Sequence, residues 1–212
     1  MKQVFASRCR QLATLNASIL ASLGAIAAVS GILLAIYYEP TAAGAYASLK
    51  AIARSVTGGS WMLALHDVAG NGLILASLLQ LVLMFLSRQA NRLWYRVWFG
   101  TVGLVLVAIS LSWSATVLDW TQESYWRFAI ELRTLAAIPA IGPTLKTLLA
   151  GGSAISTATL TRMYALHSYV LTALGLGAAI AHLVGIYRLR HQAMLAALSE
   201  DESSAAYAVM EN

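Results

Sequence analysis

The chain has 212 residues and a mass of 22.6 kDa, with 59% hydrophobic and only 11% charged residues. A soluble domain carries about 25% charged residues, so this composition excludes an ordinary soluble protein. The net charge of +5 does not indicate nucleic-acid binding, because the basic residues are grouped in short segments between long apolar stretches.

Four uncharged stretches of 28, 20, 22 and 25 residues follow one another along the chain. Each reaches the roughly 20 residues that a helix needs to cross a bilayer. We therefore predict an all-α membrane protein built as a four-helix transmembrane bundle. Its spans are predicted at residues 16–38, 61–87, 97–118 and 161–187. The bundle would form one domain, 16–190, between an N-terminal segment, 1–15, and a loosely ordered C-terminal tail, 191–212.

The basic residues predict the orientation of the bundle. Eight of the fourteen precede span one, join spans two and three, or follow span four. Because cytoplasmic segments carry an excess of Lys and Arg, both termini are predicted on the cytoplasmic (n) side. A bacterial inner membrane or a thylakoid-type membrane fits this topology.

The segment between spans three and four, 119–161, is too polar to cross the membrane. Pro139, Pro143 and several glycines interrupt it. Its apolar pieces, 135–141 and 145–149, are predicted as short helices lying at the membrane interface on the opposite (p) side.

Ionisable side chains inside spans are costly and usually functional, and this chain has few of them. His167 and His182 are fifteen residues apart in span four, close to four helical turns or about 22 Å. His66 and Gln80 are fourteen residues apart in span two, also about four turns. Since both spans start on the p-side, His66 and His167 are predicted at one depth, and Gln80 and His182 at the other.

Two imidazoles at one depth on facing helices can ligate a metal whose equatorial positions are already filled, as in haem. Small residues in spans one and three, including Gly31, would let a flat macrocycle lie between the helices. The alternative is that each histidine bonds a backbone carbonyl or a hydroxyl. The spacing alone leaves both readings open.

Several motifs, in order along the chain, carry a resemblance to a known family. They are Tyr37-Tyr38-Glu39-Pro40-Thr41, Leu118-Asp119-Trp120-Thr121-Gln122, Ala137-Ile138-Pro139-Ala140-Ile141-Gly142, and Thr159-Leu160-Thr161-Arg162 followed by Tyr164-Ala165-Leu166-His167. They are similar to YYxPT, LPWDQ, AIPxIG and TLTRFYxLH of the cytochrome b/b6 family. The chain therefore resembles the N-terminal four-helix haem-binding domain of that family, and cytochrome b6 most closely.

The resemblance implies a b-type cytochrome whose haems are each held by one histidine of the second helix and one of the fourth. His66 and His167 correspond to the p-side pair, and Arg162 to an arginine near a haem propionate. His182 corresponds to an n-side ligand, but Gln80 stands where its partner histidine would be. One haem b is expected, with two as the alternative.

Further departures fall at the same n-side site. The family keeps glycines where Ala17 and Thr101 stand, and both side chains are larger. We therefore expect the n-side haem to be lost, or kept in a five-coordinate form through His182. Asp67 replaces a basic residue that usually follows the first histidine.

The resemblance implies an electron-carrier subunit of a quinol-linked membrane oxidoreductase complex, rather than a stand-alone enzyme. Quinone or quinol would be its substrate, and a separate subunit could supply the C-terminal half of cytochrome b. The alternative is a structural or assembly subunit that kept the fold with little redox turnover. Transport along a polar pathway is disfavoured because only one acidic residue lies within a span.

Overall fold

The computed structural model describes residues 2–88 and 91–210, and it is helical almost throughout. The long helices are α1, Lys2–Ala35; α3, Gly59–Leu86; α4, Arg92–Leu118; and α8, Thr172–Met210. The short helices are α2, Ala45–Ser55; α5, Gln122–Ala136; α6, Gly142–Ala150; and α7, Thr157–Ala165. A π turn, Leu166–Leu171, joins α7 to α8.

The four long helices pack in a ring, α1 against α3, α3 against α4, α4 against α8, and α8 against α1. In the described part of the chain, four helical segments are long and apolar enough to cross a membrane. This arrangement confirms the predicted all-α, four-helix membrane bundle. The bundle has two different ends. Helices α2, α5, α6 and α7 lie at one end, which we call the short-helix end. Helices α1 and α4 begin at the other end, which we call the terminal end.

The short helices differ from the prediction in one place. The piece predicted as helix 145–149 lies within α6, but most of the predicted helix 135–141 is a turn that follows α5. Pro139 disfavours helix at the residue before it, and Ala140 adopts a positive φ of 66°, so the chain cannot continue α5 there. The preceding polar stretch forms α5 instead, because Thr121 caps the backbone N–H of Ser124.

The first and last helices extend beyond the predicted spans, and the last one extends through the predicted loose tail. Helix α1 begins at Lys2 rather than at residue 16, and α8 continues through the predicted loose tail to Met210. Residues 191–200 contain Ala, Leu, Met and Glu but neither Gly nor Pro, so nothing in their sequence stops a helix. Met1 and residues 211–212 of the predicted segments lie outside the described residues.

The short-helix end has its own apolar core. Phe128 and Leu132 of α5 pack with Val117, Ala150 and Met163, which come from α4, α6 and α7. This cluster fixes α5, α6 and α7 against the end of α4. The cluster thereby also positions the π turn that follows α7 and carries His167.

Candidate functional site

Two histidines face each other in the half of the bundle nearer the short-helix end. The ring centres of His66, on α3, and His167, in the π turn, are 6.2 Å apart, and the ring planes differ by 59°. The structure therefore brings together the two histidines that were predicted to share one depth. His182 lies in a separate cluster, as described below.

Each of these rings is held by a neighbouring helix through its Nδ1 atom. His66 Nδ1 is 2.9 Å from the Ala27 carbonyl oxygen of α1, and His167 Nδ1 is 3.1 Å from the Leu111 carbonyl oxygen of α4. A carbonyl can only accept, so both rings carry their proton on Nδ1. Nε2 of each ring then has a free lone pair, and no hydrogen-bond partner for it occurs in the described chain.

A serine one turn further along each neighbouring helix completes the same pattern. Ser30 Oγ lies 3.2 Å from His66 Nδ1, and Ser114 Oγ lies 2.9 Å from His167 Nδ1. Both hydroxyls donate to carbonyls of their own helices, so they accept from the imidazole N–H. Neither serine was predicted from the sequence, although Ser30 directly precedes Gly31.

Gly31 contacts the His66 ring instead of lining open space. A Cβ added at Gly31 would lie 3.0 Å from His66 Cε1, which is closer than ordinary van der Waals contact. The glycine therefore lets α1 approach the imidazole closely. Two further small residues, Gly24 of α1 and Ala115 of α4, line the adjoining cavity.

A cavity of about 140 Å³, partly open to the outside, lies beside the two histidines. It is lined by residues of α1, α3, α4 and α8 that are mostly apolar, including Leu20, Leu104 and Leu176. Cofactor sites are typically apolar clefts with a few polar groups. An iron bound by two imidazole nitrogens at about 2 Å would separate the ring centres by roughly 6 Å, so the observed 6.2 Å fits a bis-histidine haem.

Arg162 does not reach this cavity. Its side chain is exposed, and Nη1 donates to the Leu148 carbonyl oxygen of α6 at 2.7 Å. The cavity is instead bordered by the carboxylate of Asp67, which accepts a hydrogen bond from Asn71.

Burial raises the pKa of two ionisable groups at the short-helix end, beyond the spans. Burial, and secondarily the charge of Asp67, raises the pKa of Asp119 above its ordinary value. Burial, and secondarily Asp119, raises the pKa of Tyr38, whose hydroxyl donates to the Leu118 carbonyl oxygen at 2.8 Å. The Tyr38 ring also stacks on Tyr164, with ring centres 5.8 Å apart.

The second polar cluster lies towards the terminal end and is closed. Gln80 is fully buried, and its Nε2 donates both to His182 Nε2 at 2.9 Å and to the Ala13 carbonyl oxygen at 3.1 Å. Its Oε1 accepts from Asn16 Nδ2 at 2.8 Å, and Asn16 also donates to the Ala76 carbonyl oxygen. Every hydrogen-bonding atom of the Gln80 amide therefore has a partner. Asn16, like Ser30 and Ser114, was not predicted from the sequence as part of a site.

Close packing surrounds this cluster. Thr101 is fully buried, and its Oγ1 lies 3.5 Å from His182 Nδ1. Ala17 is also buried, in an apolar core that includes Trp94. A Cβ added at Gly185 would lie 2.6 Å from Val97 Cγ2, so α4 and α8 are in contact there. Thr101 thus lies directly beside His182, in a part of the bundle where α4 and α8 pack closely.

The chain is similar to proteins of known identity. A family model described as Cytochrome b/b6/petB matches residues 4–190. Cytochrome b6 of Heliobacterium mobile is 30% identical over 158 residues, 74% of each chain. Cytochrome b6 of Synechococcus elongatus is 32% identical over 142 residues, 67% of this chain and 66% of its own.

The fold also matches a solved structure described as a Hyperthermophilic respiratory Complex III, with a TM-score of 0.71 and 25% identity. The match covers 82% of this chain and 47% of that chain, so this protein spans about half the length of its solved relative. Since the family model covers nearly the whole bundle, the chain belongs to the cytochrome b/b6 family, whose members are b-type cytochromes of electron transfer in membranes.

Proposed function

We propose that this protein carries a single b-type haem, ligated by His66 and His167, in the half of the bundle near the short-helix end. The 6.2 Å separation of the two ring centres, beside an apolar cavity, is the observation that supports this most directly. A haem bound there would supply one-electron redox chemistry.

The chain's own residues would orient the ligands. The carbonyl oxygens of Ala27 and Leu111 hold Nδ1 of His66 and His167, which leaves Nε2 of each ring free to bind a metal. Gly31 lets α1 pack against the His66 ring. Arg162 is proposed only as a cation that a haem propionate would attract, and its hydrogen bond to Leu148 would then have to open.

We further propose that no haem binds at His182. An iron between two ligand nitrogens separates them by about 4 Å, whereas the Nε2 atoms of His182 and Gln80 are 2.9 Å apart. A five-coordinate haem would need His182 Nε2 free, but that atom accepts a hydrogen bond from Gln80. The buried Asn16–Gln80–His182 cluster therefore favours loss of this haem over its five-coordinate form.

In this proposal the protein is a subunit of a quinol-linked membrane complex, with four spans and both termini on the n-side. His66 and Gln80 are fourteen residues apart, about 20 Å along a helix. Without a second cofactor, this chain offers no electron acceptor across that distance. Electron exchange with quinol or a redox partner would then occur on the p-side.

The closed cluster around His182 also favours a second candidate, a structural or assembly subunit without redox turnover. The two functions differ in haem content. A pyridine-haemochrome assay and a reduced-minus-oxidised spectrum of the purified protein would distinguish them. About one low-spin haem b per chain supports our proposal, none supports the structural subunit, and two would contradict the loss at His182.

Histidine variants identify the ligands in the same assay. His66→Ala and His167→Ala are each expected to abolish the haem spectrum, because each removes one axial ligand. His182→Ala is the matched control, a buried histidine in the same bundle, and it is expected to retain the haem. Loss of haem in the control alone would refute the assignment.

A further inference from the structure

A basic groove lies at the terminal end, between the first turns of α4 and the part of α8 that follows His182. It has a volume of about 1100 Å³. Two arginines of α4, Arg92 and Arg96, and two of α8, Arg188 and Arg190, line it, together with His191. We call this set the arginine groove.

Among the described residues, the four arginines have no acidic partner. No carboxylate lines the groove, and within the described residues the salt bridge found joins Arg127 to Glu131 at the other end of the bundle. A concave surface with one sign of charge concentrates the field and attracts counter-ions. Guanidinium groups also present paired N–H donors that match the oxygens of a phosphate.

Apolar side chains line the same groove. Leu93 and Val184 lie among the arginines, and Tyr187 and Met194 border them on α8. Arg92 is the first residue of α4, a helix long and apolar enough to cross the membrane. The arginines therefore lie where an apolar span begins, at the depth of phospholipid headgroups, with apolar surface directly beside them.

We propose that the arginine groove binds the phosphate of an anionic phospholipid, with the acyl chains against Leu93 and Val184. A water-soluble phosphate would use the arginines but not the apolar side chains, so the mixed lining favours the lipid. Basic pockets between membrane helices recognise anionic headgroups in this way. This inference does not depend on haem binding.

The test uses the full chain in nanodiscs of phosphatidylcholine with a minor fraction of phosphatidylglycerol. Bound phosphatidylglycerol is counted by native mass spectrometry after release into detergent. Arg92→Gln/Arg188→Gln removes two groove charges, and Arg8→Gln/Arg10→Gln removes two charges from α1 outside the groove. Each arginine near a membrane surface strengthens anionic-lipid binding about fivefold, so the groove variant should lose roughly thirtyfold in apparent affinity.

The control variant is expected to retain phosphatidylglycerol like the wild type. Equal losses in both variants would overturn the proposal, because charge alone and not the groove would then hold the lipid. Displacement of the lipid by inorganic phosphate alone would also overturn it, since the site would then be one for free anions. If the double variant does not fold, judged by circular dichroism, the single variant Arg96→Gln replaces it, with an expected loss of about fivefold.

Discussion

Replacement of Gln80 by Leu tests whether the closed cluster around His182 holds the bundle together. Leucine is close to glutamine in size, so the change removes the amide and leaves the packing nearly intact. Three hydrogen bonds disappear, those to His182, Ala13 and Asn16. Hydrogen bonds inside membrane proteins contribute about 0.6 kcal/mol each on average and up to about 1.7, so we expect a loss of roughly 2 kcal/mol and at most about 5.

The assay is reversible unfolding of the purified protein in mixed micelles, followed by circular dichroism at increasing mole fractions of a denaturing detergent. Gln11→Leu is the matched control. The Gln11 side chain is exposed on α1 and has no hydrogen bond to another described residue. It should unfold like the wild type. Equal stability of Gln80→Leu and Gln11→Leu would refute the closed cluster, and with it our main reason for excluding a haem at His182.

Three further predictions concern the short-helix end. Gly31→Ala should keep the haem but shift its midpoint potential, because the new Cβ would lie 3.0 Å from His66 Cε1 and push the ring by a few tenths of an ångström. Thr172→Val should change the g values of the oxidised haem in electron paramagnetic resonance, because Thr172 Oγ1 donates to the His167 carbonyl oxygen at 2.8 Å. Asp119→Asn should become more stable than the wild type as pH rises above about 4, measured by unfolding midpoints. The raised pKa means that the folded state holds the Asp119 proton more tightly, so wild-type stability falls as pH rises through the ordinary value of 3.8 towards the folded one.

Each of these changes has a matched control. Gly24→Ala adds the same methyl group with its nearest contact at 3.6 Å, and an equal shift in potential would contradict the Gly31 argument. Thr116→Val is the control for Thr172→Val, because it removes a hydroxyl that donates to a carbonyl oxygen of its own helix, α4. Thr172→Ser keeps the hydroxyl and should restore the wild-type spectrum. Glu123→Gln neutralises an exposed acid in the first turn of α5, and the same gain with pH there would contradict the burial argument for Asp119.

The four-helix architecture could be predicted because it depends on properties that are local in sequence. The length of each apolar stretch and the positions of the charges indicate where a chain crosses the membrane, and the four long helices confirm this. The predicted helix 135–141 was wrong because Pro139 disfavours helix at the residue before it. The predicted loose tail was wrong because residues 191–200 contain neither Gly nor Pro to end the helix. Element boundaries of that kind depend on caps and turns more than on hydropathy.

The partners of the histidines could not be predicted in the same way. Ser30 and Ser114 contact imidazoles of other helices, 36 and 53 residues away along the chain. Such a contact depends on how each helix is rotated about its axis, and hydropathy is nearly uniform around a helix that is apolar on all sides. Depth within the membrane can therefore be read from the sequence, whereas the choice of hydrogen-bond partner requires the packed bundle.

The structure explains why the two pairs have different spacings, fourteen residues from His66 to Gln80 but fifteen from His167 to His182. At 100° per residue, fourteen residues fall about 40° short of four turns, whereas fifteen exceed them by about 60°. His66–Gln80 and His167–His182 would thus differ by about 100° in rotation if both helices were regular. The π turn Leu166–Leu171 lies within the second pair and takes up one extra residue, so fifteen residues there turn about as far as fourteen in α3. The same two helices can then pair His66 with His167 at one depth and Gln80 with His182 at the other. Because Thr172 donates to the His167 carbonyl through both its backbone N–H and its hydroxyl, this one residue stabilises the turn on which both pairings depend.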